Sequence, residues 1–258
     1  MSDIKQNLGC TRKDYLYYWT EMKLKYYTVG DLSISSRVLK HWKELGVIPE
    51  NTKLSWSRFT FIELLWLLMV EQLRQFGYPL SKLRMVRHYL FEIVDPNEFR
   101  NDSIVQQEPM RFYEVQTRIS NSIFRVLDQK IQVCLRVFAD GGCELLDESK
   151  NEKTNVSYIV ISLYDLIKQF NMGCVSSGLL TTPAFISKEE ISLLRIVYSK
   201  DVTSINIDYA YDKSSESYDV TSWDRSLQSN LLLDAMLLYG YNEISVKHDS
   251  ESSEISFR

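Results

Sequence analysis

Apolar residues recur at helical spacing through the first ninety positions and change to strand alternation after residue 130, so the pattern predicts a helical front and a mixed back. An opening run, Thr11 to Met22, carries Tyr15, Leu16, Tyr18 and Trp19 on one side and reads as a short helix in an N-terminal extension, residues 1–25. From Ser36 onward, Val38, Leu39, Trp42 and Leu45 make an apolar face, while Arg37, Lys40, His41 and Lys43 occupy the remaining surface. Ser35 or Ser36 caps this helix, since a serine hydroxyl satisfies a free amide of the first turn, and Gly46 stops it. Phe61 to Phe76 is the main structural helix, with Ile62, Leu65, Leu68, Met69 and Leu73 at apolar positions and Trp66 read as core. Thr60 and Glu63 form a capping box at its start. A further helix, Leu80 to Phe91, carries Lys82, Arg84, Arg87 and His88, the first three being candidates for phosphate contacts.

Beyond a polar connection from Asp95 to Pro109, a helix is expected from Met110 to Gln129, with Phe112, Val115, Ile119, Ile123 and Val126 as its stripe. The period then becomes two. Ile131, Val133, Leu135 and Val137 alternate, Asp140-Gly141-Gly142 turns, and Cys143 to Leu146 returns as a hairpin. Tyr158 to Ser162 reads as a strand feeding a helix, Leu163 to Phe170, and Gly173 to Pro183 reads as a loop. A shift of 39 positions lays Leu193, Leu194, Ile205, Ile207 and Tyr218 on Leu232, Leu233, Ile244, Val246 and Phe257. Each copy, 189–220 and 228–258, reads as a helix followed by a hairpin, and two copies would make one layer of four strands covered by two helices. Chance recurrence of common strand patterns is the alternative explanation. The fold class is α+β, with residues 130–258 as a C-terminal α/β module.

Composition narrows the function. With 258 residues, 45% of them hydrophobic and 12% aromatic, the chain is long enough for two folded domains. The apolar run Phe61 to Val70 is too short to span a membrane, and Met1 to Lys13 lacks a secretory h-region, so a cytoplasmic location is expected. The net charge of -4 hides an asymmetry: residues 1–90 hold 14 Lys and Arg against 8 Asp and Glu, the rest 16 against 26. A basic front and acidic back suit a chain that presents one end to phosphate. Cys10, Cys134, Cys143 and Cys174 have no metal-type spacing. Cys134 and Cys143 flank a turn and would approach each other across it, which admits metal or redox sensing; buried thiols are the plainer reading. No histidine stands beside a nucleophile, Glu189 and Glu190 sit at a helix start, and no Gly-rich phosphate loop is present. The expectation is therefore no enzyme, no cofactor and no metal.

Four segments in order carry a family likeness: Val29-Gly30-Asp31-Leu32, Val38 to Ile48, Arg58-Phe59-Thr60, and Phe76-Gly77-Tyr78-Pro79-Leu80. Together they resemble the winged helix-turn-helix domain of the MerR family of bacterial transcription regulators, over residues 26–92. The resemblance implies a recognition helix through Val38, a wing ending at Arg58, and a long helix at 110–129 that links and pairs two copies into a homodimer; packing of that helix against the C-terminal module is the alternative. This chain departs from the family pattern in three places. Gly30 to Lys40 is a few residues short, so the first helix or the turn is cut down; Lys40 and His41 replace Arg and Tyr; Ser57 replaces the wing's usual arginine. Lysine keeps the charge but lacks the planar fork.

The expected function is sequence-specific binding of double-stranded DNA by a transcriptional regulator in the bacterial cytoplasm, associated with the nucleoid, with RNA polymerase as a further partner. The DNA-binding set is Ser36, Arg37, Lys40, His41 and Lys43 on the helix and Trp56, Ser57 and Arg58 on the wing. Arg37 is the residue best suited to a base edge, since arginine to guanine is the commonest specific contact. The alternatives are an excisionase-like accessory factor of a mobile element, and a protein interaction adaptor whose helix-turn-helix no longer binds DNA.

Overall fold

The computed structural model describes residues 15–32, 34–48, 58–94, 117–147, 155–177, 183–210, 214–248 and 254–257. Contacts divide the chain into two compact units, one of residues 19–166 and one of residues 1–18 with 167–258.

In the first unit, which the first helix enters from the other at Trp19, the capping chemistry sets the helix starts. Helix α1 runs Tyr15–Lys23, with Thr11 to Asp14 of the expected helix lying outside the described residues. A single 3-10 turn, Val29–Asp31, precedes the next helix. Helix α2 is Ser36–Glu44, capped by Ser35. Helix α3, Phe61–Gln75, starts at the Thr60 and Glu63 capping box, Glu63 N–H donating to Thr60 Oγ1 at 3.2 Å and Thr60 N–H to the Glu63 carboxylate at 2.8 Å. Gly77, at φ +78°, turns the chain into α4, Leu80–Leu90. Leu65, Met69 and Leu73 are buried as the periodicity requires, and Ile62 and Leu68 lie at the margin of that face.

The linking helix differs from its expected span. Thr117 is extended (φ -91°, ψ 161°) and its hydroxyl accepts from Ser120 N–H, so helix α5 begins at Arg118 and runs to Leu127. Phe112 and Val115 lie outside the described residues. Ile119, Ile123 and Val126 are fully buried inside their own unit, where α5 packs with α4 and the following strand. The described part of the stripe expected to pair with a twin helix is thus covered intramolecularly.

Strands β1 (Val133–Phe138), β2 (Cys143–Asp147) and β3 (Tyr158–Ser162) form an antiparallel sheet in the order β2-β1-β3. The register sets Cys143 opposite Val137, three residues from Cys134. Side chains alternate faces along a strand, so the two thiols point to opposite sides and do not meet across the turn. The expected boundary at residue 130 also moves. Tyr78 Oη donates to Phe138 O at 3.1 Å, Lys82 Nζ donates to Ala139 O, and Leu145 N–H donates to Tyr89 Oη at 3.3 Å, tying the β1–β2 hairpin to α4. Hence the sheet belongs with the N-terminal helices, and the division falls inside α6, Leu163–Ser176, between Leu166 and Ile167. That helix also takes in Gly173 to Ser176, which the pattern assigns to a loop.

The second unit is built from α7 (Lys188–Ser199), β4 (Val202–Tyr209), β5 (Ser215–Asp219), α8 (Arg225–Asp234) continued by a π turn (Ala235–Tyr239), β6 (Tyr241–His248) and β7 (Glu254–Phe257). The four strands are antiparallel in the order β5-β4-β6-β7. Ile205 pairs with Val246 and Ile207 with Ile244, so a shift of 39 positions exchanges one pair for the other. Asn206 pairs with Ser245, its own counterpart, and Asn206 Nδ2 donates to Ser245 Oγ at 3.2 Å. The outer hairpins match too: Ile205 faces Tyr218 as Ile244 faces Phe257. Ile205, Ile207, Ile244 and Val246 form the core of this unit with Leu193, Leu194, Leu232 and Leu233, all fully buried. Inside the same unit, Asn171 is wholly buried, donating to Ile167 O and accepting Ala184 N–H at 2.7 Å.

Candidate nucleic-acid interface

Helix α2 owes its orientation to what holds its two ends. Ser35 is extended (φ -69°, ψ 149°) and accepts Val38 N–H at the first turn. At the other end Gly46 adopts φ +70°, with Gly46 N–H on Lys43 O and Val47 N–H on Trp42 O, both at 2.9 Å. That is a Schellman termination, which needs a residue free of the left-handed penalty. Two side chains then hold the terminus. Trp66 Nε1 donates to Val47 O at 2.9 Å, and an Arg87 amino group donates to Gly46 O at 3.2 Å.

Leu39 (0% exposed) and Trp42 (5%) anchor the helix in the core, each worth about 1.5–3 kcal/mol of burial. Val38 and Leu45, also expected there, are 39% exposed. At about 100° per residue, the arc centred on Leu39 and Trp42 has turned to its edge by positions 38 and 45. The opposite arc carries Arg37, Lys40 and His41, all exposed, with Ser36 exposed beside them and Lys43 half-buried at the margin. Four of the five expected helix residues therefore share the solvent side.

Of the expected wing, only the end at Arg58 falls among the described residues. Tyr27 and Phe59 bridge in antiparallel fashion, Tyr27 N–H donating to Phe59 O at 3.2 Å, and both rings are buried. Arg58 stands exposed beside this bridge; Trp56 and Ser57 lie outside the described residues. Of the basic residues on α4, Arg84 and His88 are exposed. Lys82 and Arg87 are engaged with the backbone at Ala139 and Gly46, a structural use that a count of basic residues does not reveal.

Cys134 and Cys174 are buried, Cys143 is partly so, and Cys10 lies outside the described residues. Burial, with Glu144 adjacent, pushes the Cys143 thiol up to about 12, the reverse of what a thiolate ligand needs. Among the described residues no three His, Cys, Asp or Glu side chains gather as a metal set, and no helix is long and apolar enough to cross a membrane.

Comparison with known proteins matches residues 28–90 to the model of the MerR HTH family regulatory protein. The whole chain has no match among curated proteins or solved structures. The matched span begins at the 3-10 turn and ends with α4, so it takes in the capped helix α2, the end of the expected wing and the α3–α4 pair. Residues 28–90 are thus similar to the helix-turn-helix domain of the MerR regulatory family.

Proposed function

We propose that the protein is a sequence-specific double-stranded DNA-binding transcription regulator, with α2 entering the major groove. One observation carries this reading: in a domain of the MerR regulatory type, Ser36, Arg37, Lys40 and His41 stand together on the solvent side of a helix fixed by Leu39 and Trp42. Arg37 reads a base edge, where its fork pairs with guanine. Lys40 and Arg58 hold phosphates, which position the protein without selecting sequence. The basic balance of residues 1–90 supports the same orientation. The reading assigns no catalytic role and places the protein in the bacterial cytoplasm at the nucleoid, acting with RNA polymerase at promoters. It has the protein bind paired half-sites as a homodimer. The contact between copies then lies away from the α5 stripe, because Ile119, Ile123 and Val126 are already covered.

Fluorescence anisotropy on genomic promoter fragments at two salt concentrations tests the reading. Binding should weaken steeply with salt, and Arg37→Ala should lose about 1–3 kcal/mol while relaxing sequence preference. Lys40→Ala should weaken all fragments alike and reduce the salt slope by about one. Absence of binding to any fragment at low salt would reject DNA recognition and leave the adaptor role. Binding confined to recombination junctions would favour the accessory factor.

A further inference from the structure

A cleft of about 1230 Å³ opens within the unit of residues 19–166, between α4 and two glycine turns, Gly46 at the end of α2 and Gly141-Gly142 in the β1–β2 hairpin. Its chemistry is one-sided. Arg84, Arg87 and His88 line it, and the acid on the same wall, Glu92, is bound to Arg118 at 3.3 Å. Among the described residues neither Arg84 nor Arg87 forms an ion pair. Arg87 spends one amino group on Gly46 O, and its Nε–H is buried without a hydrogen-bond partner. Two neighbouring guanidiniums without a carboxylate are an unneutralised charge, and burial together with Arg84 already lowers the Arg87 pKa. Unmet buried donors and like charges are both relieved by an anion, and a guanidinium fork matches a phosphate or carboxylate in two hydrogen bonds. Tyr89, Met85 and Ile48 add an aromatic and apolar wall, and the cleft exceeds what a bare oxyanion fills.

We propose that this cleft binds an organic anion, its phosphate or carboxylate held by Arg84 and Arg87 and its aromatic or apolar body against Tyr89 and Met85. The site rests on the cleft's own residues and stands whether or not the protein reads DNA. Because Arg87 also holds Gly46 O, occupancy is felt at the C-terminal end of α2. The anionic group has two sources, a free small molecule or a backbone phosphate of DNA.

The test follows the arginine Nε–H resonances of the full-length, 15N-labelled protein at constant ionic strength, with phenyl phosphate and inorganic phosphate as probes. Phenyl phosphate should shift the Arg87 Nε–H saturably and bind about tenfold more tightly than inorganic phosphate, because only it meets the aromatic wall. Arg84→Gln, at an exposed position, should weaken it about tenfold, and Arg87→Lys, which keeps the charge and loses the fork, should weaken it as well. Shifts that never saturate, or an affinity unchanged in both variants, would overturn the site. Equal affinity for the two phosphates would overturn the organic body. In a final arm, duplex DNA that displaces phenyl phosphate identifies the anion as backbone phosphate, whereas duplex that binds beside it identifies a free small molecule. Either result keeps the anion site, and the probe titrations stand even where no DNA binds.

Discussion

At the scale of single residues, several side chains have uses that their type alone does not announce. Lys82 and Arg87 look like phosphate ligands on a basic helix, yet each donates to a backbone carbonyl of a neighbouring element. Trp66 is core, as its place on α3 suggests, but its indole N–H also holds the end of α2. Cys143 is the clearest electrostatic case, its thiol raised from an ordinary 9.0 to about 12 by burial first and Glu144 second. The sign of its linkage follows. A pKa raised in the folded state favours the neutral thiol, so its contribution to stability is whole below pH 9 and is lost as pH rises through about 12. Alkylation of the Cys143 peptide by iodoacetamide, followed by mass spectrometry, should accelerate about tenfold per pH unit without a plateau through pH 10. The urea-unfolded chain should level off near its ordinary pKa. A plateau in the folded protein near neutral pH would instead mark an activated thiol.

At the scale of elements, the starts were the most legible features and the lateral boundaries the least. Serine and threonine caps at Ser35 and Thr60, and the glycine stop at Gly46, are local chemistry and stand where the residues imply. The linking helix failed that logic, because its repeating apolar stripe runs on through Phe112 and Val115 while Thr117 caps a new start. A capping hydroxyl that satisfies free amides sets the beginning more firmly than periodicity does. The termination of α2 permits a signed test by urea denaturation. Gly46→Ala should cost about 1 kcal/mol, because φ +70° is strained for a side chain, and Gly46→Asn should cost about half of that. Gly30→Ala should stabilise by about 0.5 kcal/mol, since its φ is ordinary and an added Cβ meets only Thr28 Oγ1 at 3.5 Å. Equal losses at both glycines would remove the left-handed turn from the account of how α2 ends.

At the scale of the whole molecule, the division into units has the largest experimental consequence. A fragment ending at residue 129 keeps every helix of the DNA-binding reading but strips the β1–β3 sheet from α4 and α5. It would uncover Ile119, Ile123 and Val126 and leave Tyr78, Lys82 and Tyr89 without their partners in the hairpin. A fragment of residues 19–176 keeps all of these. In thermal melts followed by circular dichroism, the longer fragment should unfold cooperatively and the shorter one should show a broad, weak transition, because burial of that apolar face supplies most of its stability. Equal cooperativity in the two would restore the boundary at residue 130.

The sequence by itself determined what short-range chemistry decides: the caps and the glycine stop, the period of each helix and strand, the outward set Arg37, Lys40 and His41, and the order of motifs in residues 28–90. Alternation along a strand is likewise written locally, as Ile205 and Ile207 in β4 and Ile244 and Val246 in β6 show. Only the tertiary structure decided which apolar face met which. It turned Val38 and Leu45 toward solvent, spent the α5 stripe inside its own unit, parted Cys134 from Cys143, and joined the hairpin to α4 around the arginine-lined cleft. Those outcomes rest on contacts between residues far apart in the chain, and a pattern read along the chain shows that a face is apolar without showing its partner.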